Sequence, residues 1–102
     1  MRLTPWLLGS MTLVSSMAHA ALVDTALPFT IDGTEYASVL IHDDAQPAKR
    51  AILLVPNWMG INEANLKQAR MIADMGYTVY VVDMYGKSVR PQNAEEAGKA
   101  AG

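Results

Sequence analysis

The segment Ala51-Ile52-Leu53-Leu54-Val55-Pro56-Asn57-Trp58-Met59-Gly60 decides the fold of this chain. It begins with an unbroken apolar run of strand length, Ala51 to Val55, and the run ends at Pro56-Asn57. An apolar run without alternating polar residues is typical of a parallel strand that is covered on both faces. We therefore predict a buried parallel strand that delivers the following loop to one edge of a sheet, where a functional site would lie.

A helix is predicted directly after this loop. Asn62 is a suitable N-cap, and Ile61 and Leu66 occupy the two positions of a hydrophobic staple. Gly76 follows where a left-handed residue commonly ends a helix. The apolar residues that share one face of this helix are Leu66, Ala69, Ile72, Ala73 and Met75.

Tyr77 to Val82 is a second apolar run, rich in β-branched and aromatic residues, and it predicts another strand. Strand, thirteen-residue helix and strand then form one right-handed βαβ unit. Because its two strands are parallel, Pro56-Asn57-Trp58 and Asp83-Met84-Tyr85 should emerge at the same edge of the sheet. Open α/β sheets bind ligands at that carboxyl edge.

Two more strands are predicted upstream, Leu27 to Ile31 and Glu35 to His42. Asp32-Gly33 between them is suited to the tight turn of a β-hairpin. Downstream, a loop runs from Lys87 to Pro91, and a second helix begins within Gln92 to Gly102. The predicted fold class is therefore α/β, with an antiparallel hairpin followed by a right-handed βαβ unit and an incomplete three-layer sheet.

The first twenty residues have the features of an export signal. Arg2 gives a positive start, Trp6 to Val14 is apolar, and Ala18-His19-Ala20 is a small-x-small cleavage site. We expect cleavage near Ala20 and a periplasmic or secreted protein. The alternative is a retained membrane helix, but the apolar core is shorter than the roughly 20 residues that span a bilayer. No stable membrane anchor is therefore expected.

Charge and length limit the classes of function. Eight Lys and Arg residues face ten Asp and Glu residues without long runs of one sign, which argues against nucleic acid or an anionic membrane as partner. No cysteine is present to form a disulfide. So short a chain can hardly cover both faces of a parallel sheet. We therefore expect the N-terminal part of a larger domain, with one face of Ala51 to Val55 uncovered and poorly cooperative or aggregating behaviour.

Several motifs that would identify a complete site are absent from the sequence. It contains no glycine-rich phosphate loop and no G-x-S-x-G elbow, so a nucleotide-binding oxidoreductase has little support. His42 is the one histidine after the export signal, and His42-Asp43-Asp44 is interpreted as a polar strand end because adjacent residues alternate faces. We expect no metal and no cofactor.

Three ordered motifs resemble the N-terminal third of the dienelactone hydrolase family. They are the loop Val55 to Asn62, the helix end Ala73 to Tyr77, and the strand end Val82 to Lys87. The likeness also includes the hairpin at Asp32-Gly33 and so covers nearly all of the chain after the export signal.

The resemblance implies an α/β-hydrolase fold and hydrolysis of a small ester or lactone. Family members use a Cys or Ser nucleophile, a His base and an acidic partner, and these would follow Gly102. Trp58 matches the position whose main-chain N–H contributes to the oxyanion hole. Asn57 falls where lactone hydrolases carry a glutamate that contacts the nucleophile, and an amide cannot act as a charged switch. Tyr85 would line the same pocket.

Structural and non-catalytic interpretations remain open beside this one. Pro56 to Ile61 could be an ordinary βα loop in which Trp58 packs on the sheet edge, and Tyr85 could simply pack at a strand end. The chain could also be an exported binding module, or a fragment without function. The oligomeric state is not predicted by the sequence.

Overall fold

A computed structural model of the chain describes residues 21–45 and 50–102. The predicted export signal and its cleavage site lie outside these residues. None of the helices in the described part of the chain is long and apolar enough to cross a membrane. The elements, in chain order, are β1 (Leu22–Ile31), β2 (Thr34–Asp43), β3 (Arg50–Leu54), α1 (Glu63–Ala73), β4 (Tyr77–Val81) and α2 (Ala94–Ala101).

The four strands form one mixed sheet in the order β1-β2-β4-β3. β1 and β2 form the predicted hairpin, whose turn residues Asp32 and Gly33 have φ angles of 50° and 81°. Both values are positive, as a two-residue hairpin turn requires. β1 starts at Leu22 rather than Leu27, because pairing with β2 continues as far as the partners Leu22 and Asp43.

β3 and β4 are parallel and α1 connects them, which confirms the predicted strand-helix-strand unit. β2 pairs with β4 in the antiparallel direction and so joins the hairpin to this unit. β3 lies at the edge of the described sheet. Leu53 is 68% exposed and Val55 is 56% exposed, so the expectation of an uncovered face is confirmed, whereas a strand buried on both faces is not observed.

The core lies between the sheet and α1, which packs against β4 and β2. Burial of aliphatic side chains from both layers excludes water from this interface and supplies its main stabilising free energy. The buried hydrophobic residues of this cluster are Ile41, Ile61, Ala69, Ala73, Val79 and Val81.

α1 begins as predicted, with Asn62 as N-cap and its side-chain oxygen accepting a hydrogen bond from the Asn65 N–H. It has eleven residues and ends at Ala73, earlier than predicted. The prediction that Met75 shares the buried face was wrong, since Met75 is 70% exposed. It follows the helix end, where helical spacing no longer sets the direction of a side chain. Gly76 has the expected positive φ, 103°.

Candidate active site

Two loops meet at the carboxyl edge of the parallel strands β3 and β4. Residues of both loops line a pocket of about 280 Å³. This confirms that the two segments share one edge of the sheet. The lining residues are Val55, Pro56, Asn57, Trp58, Gly60, Met84, Tyr85 and Ala101, the last of which belongs to α2.

The loop after β3 is a tight turn closed by the backbone and by the side chain of Asn57. The Gly60 N–H donates to the Asn57 carbonyl oxygen over 2.9 Å. The Met59 N–H donates to Asn57 Oδ1 over 3.0 Å. Gly60 has a φ of 73°, a conformation that L side chains rarely adopt. The Pro-Asn-Trp-Met-Gly sequence therefore matches the backbone geometry of this turn.

Asn65, in the first turn of α1, binds the loop after β3 through its side chain. Its side chain is buried, with the residue only 6% exposed. Its Nδ2 donates to Asn57 Oδ1 over 2.9 Å and to the Gly60 carbonyl oxygen over 2.7 Å. Asn65 was not predicted as a site residue from the sequence. Its spacing of four and eight residues from the buried Ala69 and Ala73 was the available signal.

Tyr85 connects the two loops. Its phenol Oη donates to the Trp58 carbonyl oxygen over 2.8 Å. Its ring packs against Gly60, where an added Cβ would lie 3.2 Å from Cδ2 and 3.3 Å from Cε2. Tyr85 therefore both lines the pocket and packs at the strand end, so the two interpretations of this residue apply together.

Trp58 lies on the outer side of the pocket and is 50% exposed. Its carbonyl oxygen is held by Tyr85, and its N–H donates to no acceptor among residues 21–45 and 50–102. Its ring approaches α2, because Cζ3 lies 3.8 Å from the position that a Cβ added to Gly98 would take. The structure thus brings Asn57, Trp58 and Tyr85 together, while their catalytic roles stay predictions.

The loop after β4 is anchored by Asp83, which is 4% exposed. Its carboxylate accepts hydrogen bonds from the N–H groups of Ala37, Tyr85 and Gly86, at 2.8, 3.2 and 3.0 Å. Arg90 Nη1 lies 3.1 Å from Asp83 Oδ1. The Asp83 N–H itself donates to Ser38 Oγ over 2.9 Å.

These contacts favour the ionised form of Asp83. Burial by itself raises the pKa of this carboxyl, but the hydrogen bonds from Ala37, Arg90 and Gly86 and the charge of Arg90 outweigh it. The pKa of Asp83 is therefore held below its ordinary value. Asp83 and Arg90 were not predicted as site residues, and here they fix the position of Tyr85 through the backbone.

The described residues offer no group of three or more His, Asp or Glu side chains that could hold a metal ion. The polar atoms nearest the pocket are backbone amides, carboxamides and a phenol. Such groups bind and orient an acceptor oxygen.

The chain was compared with known families and structures. The model of the dienelactone hydrolase family matches residues 37–102. A solved structure titled m3DLH is 22% identical, with a TM-score of 0.67, and the match covers 78% of this chain and 34% of that one. A dienelactone hydrolase-like promiscuous phosphotriesterase from metagenomic libraries is 20% identical, with a TM-score of 0.67, covering 78% of this chain and 33% of that one.

The two structural matches show the same fold. This chain spans about a third of the length of either matched structure. Comparison with curated proteins gives no significant match.

Proposed function

The chain belongs to the dienelactone hydrolase family, and from this premise we propose that it forms part of a hydrolase that cleaves a small ester or lactone by acyl transfer. In this proposal residues 55–61 supply one half of an oxyanion hole. In the same proposal, the nucleophile, the histidine base and their acidic partner belong to the two thirds of the matched fold that this chain does not span. The observation that carries the proposal is the Trp58 N–H, which has no acceptor among the described residues. The peptide unit that carries it is held at its other end, because the Asn57 carbonyl oxygen accepts from the Gly60 N–H.

The proposed reaction begins when the histidine base takes the proton of a Ser or Cys nucleophile. The nucleophile attacks the substrate carbonyl carbon, and the carbonyl π electrons move to oxygen. The Trp58 N–H donates to this oxyanion, together with a second donor beside the nucleophile. Collapse of the intermediate expels the alcohol, which takes a proton from the base, and water then releases the acid in a second cycle of the same kind. A donor held in place before the reaction lowers the barrier because no reorganisation is needed in the transition state.

The surrounding contacts support a preorganised donor. The Gly60 N–H holds the Asn57 carbonyl oxygen, which belongs to the same peptide unit as the Trp58 N–H. Tyr85 holds the carbonyl oxygen of the next peptide unit, that of Trp58. Most of the lining is apolar, including Val55, Pro56 and Met84, which suits the uncharged part of a small ester.

A non-catalytic binding module is the second candidate. It is favoured by one observation, that none of the eight residues lining the pocket is Ser, Cys or Thr. Such a module would bind a small molecule at the same edge of the sheet without turnover.

Substitution Trp58→Pro in the complete gene product tests the enzymatic proposal, because proline removes the N–H donor. We expect kcat/KM for 4-nitrophenyl esters to fall about 10²- to 10³-fold, the usual effect of losing one oxyanion donor. Trp58→Phe is the matched control, since it keeps the N–H and an aromatic ring, and it should remain within a few fold of the parent. Circular dichroism should show that both variants are folded.

Turnover by Trp58→Pro at the parent rate would exclude the Trp58 N–H as an oxyanion donor. Binding of a small ester by the parent protein without any hydrolysis would favour the binding module instead.

A further inference from the structure

We infer that Asn57 is a specificity-determining residue whose Nδ2 group donates a hydrogen bond to an acceptor oxygen on the acyl side of the substrate, and that Asn65 is the residue that positions it. This inference rests on the proposed hydrolase function. It assigns Asn57 the opposite polarity to a carboxylate at the same place, since a carboxylate can only accept.

The contacts of the two asparagines determine which end of each carboxamide is oxygen and which is nitrogen. The Gly60 carbonyl oxygen can only accept, so the Asn65 atom 2.7 Å from it must be Nδ2. The same Nδ2 group lies 2.9 Å from Asn57 and requires an acceptor there, which is Oδ1. The Met59 N–H, a donor by nature, also points at this atom from 3.0 Å. The Gly60 carbonyl oxygen, an acceptor, and the Met59 N–H, a donor, therefore give the same orientation for the two carboxamides.

Asn57 Oδ1 therefore already accepts two hydrogen bonds from the protein. A carboxamide oxygen has two lone pairs, and here the Met59 N–H and Asn65 Nδ2 use both of them. Asn65 is buried and Asn57 is exposed, so the bond between the two side chains is partly buried. The orientation of the Asn57 carboxamide is thus set by the fold before any ligand arrives.

The free end of this carboxamide belongs to the pocket. Asn57 is exposed and lines the cavity, and its Nδ2 donates to no residue within the described parts of the chain. Because the two hydrogen bonds to Oδ1 use its lone pairs, Nδ2 is the end of the carboxamide that remains for a ligand. Asn57 Nδ2 and the Trp58 N–H belong to consecutive residues, and both residues line the pocket.

The chemistry of this arrangement selects for acceptors. None of the residues lining the pocket carries a charged side chain. Two donors on consecutive residues in such a setting can bind a carbonyl oxygen and a second acceptor oxygen close to it. Loss of a donor that binds a substrate oxygen lowers the rate for substrates that carry this oxygen more than for substrates that lack it. The reason is that the oxygen is then left unpaired or faces another acceptor.

Asn57→Asp in the complete gene product separates substrate recognition from loop structure. The variant keeps an oxygen that accepts from Met59 and Asn65, replaces the Nδ2 donor with a second acceptor and adds a negative charge, which both uncharged probe esters meet alike. The probes are 4-nitrophenyl methoxyacetate and 4-nitrophenyl butyrate, whose acyl groups differ by an ether oxygen in place of a methylene. The ratio of their kcat/KM values, compared between variant and parent, cancels their intrinsic reactivities.

We expect this ratio to fall about tenfold in Asn57→Asp, with an unchanged thermal midpoint, since a lost hydrogen bond is replaced by two facing acceptors. Asn65→Ala should lower the ratio as well, and adding it to Asn57→Asp should cause no further fall. Asn93→Asp is the matched control, because Asn93 caps α2 with its side-chain oxygen at the Glu96 N–H and lies at the far end of that helix from Ala101. It should leave the ratio at the parent value.

An unchanged ratio in folded Asn57→Asp would overturn this inference, even where Trp58→Pro has lost activity and the hydrolase proposal stands. If the parent hydrolyses neither ester, the hydrolase proposal and this inference both fail. If Asn65→Ala does not fold, Asn57→Asp alone decides between a donor and a loop residue.

Discussion

At the scale of single residues, the site depends on atoms that are placed by close packing as much as by hydrogen bonds. Gly60 is the clearest case, because the ring of Tyr85 occupies the space in which a side chain would begin. The same tyrosine holds the Trp58 carbonyl oxygen. A change at Gly60 is therefore expected to reach the proposed oxyanion donor through Tyr85.

Gly60→Ala should destabilise the protein by about 2 kcal/mol, combining the cost of an alanine at positive φ with displacement of the Tyr85 ring. Urea denaturation followed by circular dichroism measures this difference. Gly33→Ala is the control, since Gly33 also has a positive φ, 81°, but has nothing within 4 Å of an added Cβ. Its cost should be smaller by about 1 kcal/mol. Equal costs for the two variants would show that the Tyr85 contact does not limit this position.

The residues of the pocket were predictable from sequence only where a motif marks them. Asn57, Trp58 and Tyr85 lie in two loops that follow apolar strands, and parallel pairing places such loops together. Asn65 could not be assigned in the same way. Its role depends on the conformation of a turn five to eight residues earlier, which local spacing does not specify.

At the scale of elements, the loop after β4 is held by a buried carboxylate rather than by regular structure. The Asp83 carboxylate binds three backbone N–H groups and Arg90. The backbone N–H of Asp83 donates to the hydroxyl oxygen of Ser38 on β2. This network joins β2, the end of β4 and the loop that carries Tyr85. The strand end Asp83-Met84-Tyr85 was predicted, but its partners are distant in sequence and could not be.

This network should make stability depend on pH. Contacts in the folded state lower the pKa of Asp83 below its ordinary value of 3.8, so the folded state binds its proton less readily than the unfolded state. The stabilisation is complete above the unfolded pKa and is lost as the pH falls through the lower, folded pKa. Urea unfolding of the parent at pH 7, 5 and 3 should therefore show a loss of stability toward pH 3.

Asp83→Asn should remove much of this dependence, because the amide does not titrate in that range. At pH 7 the variant should be less stable by about 2 kcal/mol, since Arg90 and three N–H groups lose a charged acceptor. Asp74→Asn, which changes an exposed carboxyl at the end of α1, should keep the parent profile. A parent profile that is equally steep in Asp83→Asn would assign the acid sensitivity to other carboxyls.

Element boundaries were less predictable than element types. Pairing with β2 lengthens β1 at its start, and α1 ends before Met75 because the backbone turns at residues 74–76. Both differences come from contacts or turns that local hydrophobic spacing does not contain. The N-cap and the hairpin turn were found because they depend on one or two residues with strong local preferences.

For the molecule as a whole, the main feature is β3, which is the last strand of the sheet in the described part of the chain. One edge of β3 has no strand partner there, and one of its faces is exposed. Leu53 and Val55 project into solvent there, while the opposite face of the sheet packs on α1. An edge strand with exposed apolar side chains can pair with another copy of itself. The apolar run that predicted a strand covered on both faces is therefore a segment through which the described chain can associate.

Leu53→Lys should reduce this association, because a charge on an edge strand opposes pairing with a second strand and removes an exposed apolar side chain. Light scattering of the 102-residue chain as a function of concentration measures the effect, and the parent should form larger species than the variant. Met71→Lys is the control for charge and surface polarity, since Met71 is 63% exposed and lies on the helix α1 rather than on a strand. It should associate as the parent does. A parent chain that stays monomeric and unfolds in one sharp thermal transition would show that the β3 edge does not drive association.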